Sequence, residues 1–281
     1  MKKPRITILG LCGRSVFLQV DHFHNPGETL HADGMIAEPG GKGYNQAVAA
    51  ARLGAEVVFF GAIGADDDGK ACRDFLLKEG ITPYFQIVQD APTAYACILT
   101  DKEGENRVTV CRGASTELSG AFIRQHEDVF ASSDILLLNF EVPEEANEAA
   151  MELAEKYGAM LLLNPAPAHP CSAAFLDRFY CITPNRSEAE ILGVETEREI
   201  ITCGGDGVVI LENGKKTALP AARVNAVDTT GAGDCFSAAL AVAVGEGKDL
   251  ADAVQFAQRA AAKSVTKAYV MPSLPYREEI E

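Results

Sequence analysis

The chain has 281 residues, 47% hydrophobic and 23% charged, which is a globular composition and excludes a disordered or fibrous chain. Its 40 acidic residues outweigh 25 basic ones, giving a formal charge of −15. That excludes the basic footprint of a nucleic-acid binder but not a local anion site.

The first apolar run, residues 5–11, follows two lysines and imitates a signal peptide. Gly10, Gly13 and Arg14 interrupt it and no A-x-A site follows, so it reads as a buried strand. No stretch approaches the ~18 apolar residues of a membrane span. Further short apolar runs predict strands at 56–62, 135–140, 159–163, 179–183, 199–202 and 208–211. Helical patterns between them cover 44–53, 69–78, 144–157, 233–244 and 250–266, with Gly54, Gly80 and Gly158 as C-caps of the first three. This alternation predicts an α/β fold, with helices on both faces of a mostly parallel sheet. Two stretches break the rhythm: 28–37 is polar and alternating, and 93–112 reads as a β-hairpin. They predict a small antiparallel lid, with segments about 14–38 and 93–112 inserted in one domain spanning 1–281. The eight cysteines show neither a C-x-x-C pair nor zinc-ligand spacing with histidine. They read as reduced, mostly core residues, as in a cytoplasmic protein.

Chemistry concentrates at two glycine turns that open helices. Asp228-Thr229-Thr230-Gly231-Ala232-Gly233-Asp234 precedes the helix at 233–244. Helix-start N–H groups attract anions, and glycines let the backbone approach closely. Asp234, in the same turn, could take a proton beside such an anion hole, or could simply cap the helix. Gly40-Gly41-Lys42-Gly43-Tyr44-Asn45 is the second turn, and it lacks Walker A spacing. His22 and His24 alternate along an expected strand, with lid-packing or solvent-facing roles. Asp66-Asp67-Asp68 lacks the remaining calcium-loop ligands and reads as helix-dipole partners. Asn139, beside Glu141, is within range of a pocket, and 277–281 reads as a solvated helix start.

Gly40–Asn45 with Gly64-Ala65-Asp66-Asp67-Asp68-Gly69 resembles the N-terminal signature of the PfkB, or ribokinase, family of carbohydrate kinases. Asp228–Asp234 resembles its C-terminal signature, and Asn164-Pro165-Ala166-Pro167 and Pro184-Asn185-Arg186-Ser187-Glu188 extend the likeness. The resemblance implies a ribokinase-like three-layer α/β/α fold and an ATP- and magnesium-dependent sugar kinase. It makes Asp234 the catalytic base and Gly231, Ala232 and Gly233 the anion hole. It places sugar at Gly41, Lys42, Asn45 and Glu141. It places nucleotide at Asn185, Thr202, Gly204 and Gly207, and magnesium indirectly at Glu188. Asp228 and Thr230 match part of a loop that binds potassium in many members.

Three departures matter. Gly13 and Ser15 stand where the family grips sugar hydroxyls with an Asn and an Asp, so D-ribose is not expected to be the best acceptor. The acceptor should demand less there or fill the space left by Gly13. If the strand ends at Gly13, Arg14 would turn inward and favour a sugar acid. Only about 15 residues separate Thr183 from Glu199, room for one crossover helix. The late potassium loop lacks its usual glycine within 267–271, which weakens the case for potassium. The function expected is phosphorylation of a primary hydroxyl of a small sugar. A nucleoside kinase and a non-catalytic sugar- or nucleotide-binding regulator are the alternatives. An apolar lid face further implies a homodimer through the lid.

Overall fold

The computed structural model describes residues 2–194 and 196–281. The chain begins with β1 (Arg5–Leu9), β2 (Gly13–Gln19), β3 (Gly34–Gly40), α1 (Lys42–Arg52), β4 (Glu56–Gly64), α2 (Asp67–Lys78) and β5 (Thr82–Val88). Then come β6 (Ala94–Thr100), β7 (Asn106–Cys111), α3 (Gly120–Arg124), α4 (Glu127–Phe130), β8 (Ile135–Leu138), α5 (Glu144–Tyr157) and β9 (Met160–Leu163). The rest comprises α6 (Ala173–Leu176), β10 (Cys181–Ile182), α7 (Arg186–Leu192), β11 (Arg198–Thr202), β12 (Val208–Glu212), β13 (Lys215–Leu219), α8 (Ala232–Gly245) and α9 (Leu250–Ser264).

Nine strands form the main sheet in the order β13-β12-β11-β10-β9-β8-β1-β4-β5. Only the β11–β12 and β12–β13 pairs are antiparallel. Strand alternation sends Ile6 and Ile8 into one core, with α1, α8 and α9, and Leu9 into the other, with α3 and α5. Every residue of α8 from Asp234 to Val244 is buried. A helix apolar all round belongs in a core, so α8 is clamped between neighbours and its start is held rigidly.

The second sheet has the order β3-β2-β6-β7. Two antiparallel pairs flank a parallel one, β2 with β6, because these strands come from separate stretches of chain. β2, β5 and β13 lie outside the expected strands. The expected strand at 28–37 begins only at Gly34, because Asn25–Glu28 forms a turn with Gly27 at φ 83°. His22 and His24 therefore lie in a loop, where His22 sits between Asp21 and Glu28. The terminus is the expected helix start, a single 3-10 turn at Arg277–Glu279 with Glu278 and Glu279 exposed, but it is also anchored to the core. Arg277 reaches inward to pair with Glu246 and donates to the carbonyl of Leu53 at 3.2 Å. Asp66 caps α2 and Asp67 and Asp68 fill its first turn, as dipole partners should. One helix, α7, joins β10 to β11, as the short spacing requires. All eight cysteines are free, four of them buried. No helix of the described residues is long and apolar enough to cross a membrane.

Candidate active site

Three glycines let the first turn of α1 rest on the end of β1. Gly41 has φ 124°, and a Cβ there would lie 2.2 Å from the Leu11 carbonyl oxygen. Gly10 and Gly43 meet backbone to backbone, so a Cβ on either would fall within 2.6 Å of the other's Cα. This close approach carries Lys42, Asn45 and Gln46 to the start of α8, where Asp234 is 6% exposed.

Both Asp234 oxygens are gripped from α1. Asn45 Nδ2 donates to Oδ2 at 2.8 Å, and Gln46 Nε2 to Oδ1 at 3.4 Å. Gln46 also donates to Asn164 Oδ1 at 3.1 Å, and Asn164 Nδ2 donates to the Thr183 carbonyl. Burial pushes the Asp234 pKa up, while the Lys42 ammonium and the two amides oppose that rise. The result is a carboxylate that accepts a proton more readily than an exposed aspartate. It does not cap α8. Gly231, at φ 77°, holds that position.

Glu141 accepts from the Lys42 N–H at 2.7 Å and from the Gly43 N–H at 3.4 Å. Its pKa is pushed up to about 7, first by burial and then by the nearby Asp234 charge. Lys42 is held above its usual range, chiefly by Asp234. Asn139 does not line the pocket. It is a strut, donating to the Leu9 carbonyl at 2.9 Å and accepting from the Glu141 N–H at 3.0 Å.

Two cavities meet at the first turn of α8. One, of about 210 Å³, lies under the lid and is lined by Gly13, Ser15, Gly41, Lys42, Asn45, Glu141, Gly231 and Asp234. The other, of about 540 Å³, is lined by Thr202, Gly204, Gly207, Ala232 and Gly233, with an apolar wall including Val208, Val224 and Phe236. The helix start thus brings its first N–H groups and a positive dipole end to the junction, with the Ala232 N–H also donating to the Thr229 carbonyl at 3.2 Å.

Other expected residues behave differently. Asn185 and Glu188 line neither cavity and form a capping box on α7, with bonds of 2.9 and 2.8 Å. The Glu188 charge still reaches Lys42 and Asp234. Asp228 accepts from the Thr230 N–H at 2.9 Å, the Thr230 hydroxyl at 2.6 Å and the Tyr269 N–H at 3.0 Å. Tyr269 occupies the left-handed region at φ 65°, where a glycine would be unstrained.

Gly13 leaves no space. A Cβ on it would lie 2.3 Å from the Ala94 carbonyl oxygen, because β6 packs directly against it. The first strand ends before it, at Leu9, but β2 begins at Gly13, so residues 13 and 15 still share one face and 14 takes the other. Arg14 borders the smaller cavity, with its guanidinium paired to Asp68 at 3.0 Å. Gln46 and Asn164 were not among the expected site residues. Asn164 stands in the Asn164–Pro167 run of the family resemblance, but its role and that of Gln46 arise through contacts more than 100 residues apart along the chain.

Residues 3–277 match the model of the pfkB family carbohydrate kinases. A ribokinase of Haemophilus influenzae is 40% identical, over 99% of this chain and 97% of its own. The crystal structure of a Thermotoga maritima ribokinase superposes with a TM-score of 0.86 at 35% identity, covering 98% of this chain and 97% of that one. An Arabidopsis thaliana ribokinase complexed with ribose and ATP superposes with a TM-score of 0.87 at 26% identity, over 100% and 98%. With two cavities sharing one helix start, the chain belongs to the pfkB family and is an ATP-dependent carbohydrate kinase.

Proposed function

We propose that this kinase phosphorylates a primary hydroxyl of a small neutral sugar held under the lid, with Asp234 as the base. The carrying observation is the α8 start, which faces both cavities. ATP fits the larger groove and the acceptor the smaller pocket. Asp234 takes the hydroxyl proton while the acceptor oxygen bonds the γ-phosphorus. The bond from that phosphorus to the β–γ bridging oxygen breaks, and ADP leaves. The N–H groups at Gly231, Ala232 and Gly233 stabilise the migrating group. Lys42 and Glu141 hold the floor of the pocket. Asn45 keeps a buried carbonyl with no protein donor, a partner for an acceptor hydroxyl.

Thr202, Gly204 and Gly207 border the nucleotide, and Asn185 holds the α7 start beside it. Glu188 would place magnesium, whose charge would neutralise the phosphates. One Glu188 oxygen is tied to the helix cap, leaving the other for a bound water of the ion. The potassium loop fits its ion poorly. Asp228 already accepts three donors, and Thr230 donates its hydroxyl to Asp228.

The acceptor pocket, at about 210 Å³, falls below the ~300–1,000 Å³ of drug-sized ligand sites. That favours a monosaccharide over a nucleoside. The Arg14 charge is already paired with Asp68, so it does not favour a sugar acid. Ser15 offers only a neutral hydroxyl, whereas hydrogen bonds to a charged group contribute about 1.5–3 kcal/mol. A polyol edge at this strand is therefore held about 10- to 100-fold more weakly than by a carboxylate there. Phe17, Ile98, Val108 and Val110 present apolar walls instead. Across D-ribose, 2-deoxyribose, hexoses, sugar acids and nucleosides, we expect a neutral sugar with a deoxy edge to exceed D-ribose in kcat/KM. Ribose ranking first would refute this preference, and a nucleoside ranking first would favour the nucleoside-kinase reading. Absence of turnover with every acceptor would favour a regulator.

Met35, Ile36, Tyr95, Val108 and Val110 are exposed large apolar residues on the small sheet, the last three also bordering the acceptor cavity. We expect pairing of two lids in a homodimer to cover part of this surface. Light scattering at micromolar concentration should show twice the chain mass. A monodisperse monomer would contradict the pairing.

A further inference from the structure

Side chains from three different lid strands reach the two loops that flank Gly231. Glu38 of β3 accepts the Val270 N–H at 2.8 Å and the Met271 N–H at 3.2 Å. Phe17 of β2 meets the Tyr269 ring edge-on, with centroids 5.4 Å apart. Asn106 of β7 donates to the Thr230 hydroxyl at 3.3 Å. Asp228 joins the two loops by holding both Thr230 and Tyr269. The Val270 side chain lies against Gly231, where a Cβ would come within 2.8 Å of its Cγ1.

The 269–274 loop is therefore held from two sides. Arg52, anchored on Glu79, donates to the carbonyls of Met271 and Leu274 at 2.6 and 3.0 Å. That grip comes from α1, in the core. Glu38 grips the N–H groups from the lid. Tyr269, bonded to Asp228 and packed on Phe17, keeps a left-handed backbone that an aromatic residue adopts only when its surroundings hold it. The chain of contact runs from the lid through Glu38 and Val270 to the Gly231 turn.

We propose that Glu38 is a positioning residue that couples lid closure over the acceptor to the geometry of the Gly231–Asp234 turn. This rests on the reading that the acceptor binds beneath the lid and the phosphoryl group at the turn. Acceptor binding then tightens nucleotide binding, and by linkage nucleotide tightens the acceptor equally.

The test is calorimetric titration of a non-hydrolysable ATP analogue, with and without saturating amounts of the sugar that ranks first in kcat/KM. Wild type should bind the analogue at least about fivefold more tightly with sugar present, the lower end of ordinary coupling. Glu38→Ala should keep the analogue-only Kd within about twofold and lose the coupling, with kcat falling at least as far as that coupling is worth. Glu38→Leu keeps most of the size without an acceptor and should lose most of the coupling, which covers the case in which the alanine variant fails to fold, whereas Glu38→Gln, whose amide oxygen still accepts both N–H groups, should keep more of it. A merely structural role would lower the Tm and leave the coupling intact. Full coupling in the alanine and leucine variants, or none in wild type, would overturn the proposal. Wild-type turnover on the sugar is measured separately, so failure of the functional reading shows there and not in the coupling.

Discussion

Asp234→Asn is expected to lower kcat by about 10²–10⁴-fold, the range that general-base catalysis supplies. The substitution keeps the shape and removes the proton acceptor. Nucleotide affinity should change little, because the larger cavity is walled by other residues, Thr202, Val208 and Phe236 among them. The local fold should also persist, since α8 is buried from residue 234 through Val244. A variant keeping more than about a third of wild-type kcat would remove Asp234 from the role, since it falls far short of the 10²-fold minimum. The pH profile gives an independent check. Burial raises the Asp234 pKa, and the base form is lost as pH falls through that raised value. The acid limb of wild-type kcat/KM should therefore lie above the ordinary aspartate value of 3.8. Glu141, at about 7, adds a second group titrating on the same side. The residual activity of Asp234→Asn should lose the Asp234 limb, and any Glu141 limb should move below 7, because the Asp234 charge that helps raise it is gone.

How far the site was legible in the sequence follows from how local each signal is. A glycine turn opening a helix is written in adjacent residues, so Gly41 and Gly231 are readable as they stand. Asp234 lies in the same run. The roles of its partner Gln46, and of Asn164 behind Gln46, are not readable, because only the meeting of α1, α8 and the end of β9 creates them. Gly13 shows the opposite failure. A missing side chain reads as a vacancy, yet the backbone of β6 fills the place, and that parallel pairing is invisible in the chain order. Asn185 and Glu188 show how one spacing carries two meanings. Their capping box alone would account for the N-x-x-E pattern as a helix start, so the spacing by itself does not single out a metal role. β10 has only two residues, so its run at 179–183 overstated the strand, and β13 is too polar for an apolar-run criterion. Glu38 sits in an alternating polar stretch and gained its meaning only when the 270–271 backbone came to it.

Gly41→Ala should combine loss of stability with loss of activity. At φ 124° and ψ 148° the backbone lies where side chains are rarely tolerated. Strain of this kind costs about 1–3 kcal/mol, before any clash. The clash is severe, because the partner at 2.2 Å is a backbone oxygen that cannot swing aside. The first turn of α1 must then retreat from β1 and carry Lys42 and Asn45 with it. Asn45 would draw its amide away from Asp234, and Lys42 would lose its N–H contact with Glu141. A shift of about 1 Å in a positioning group can cost about 10²-fold in rate, so kcat/KM for the sugar should fall by about that factor. Gly80→Ala is the control. Gly80 also has positive φ, at 75°, but no atom lies within 4 Å of the point a Cβ would occupy, and it sits beyond the far end of α2. It should lower Tm and leave kcat/KM unchanged. A folded Gly41→Ala enzyme with kcat/KM within about threefold of wild type would show that the turn tolerates displacement, against the rate cost expected from a shift of this size.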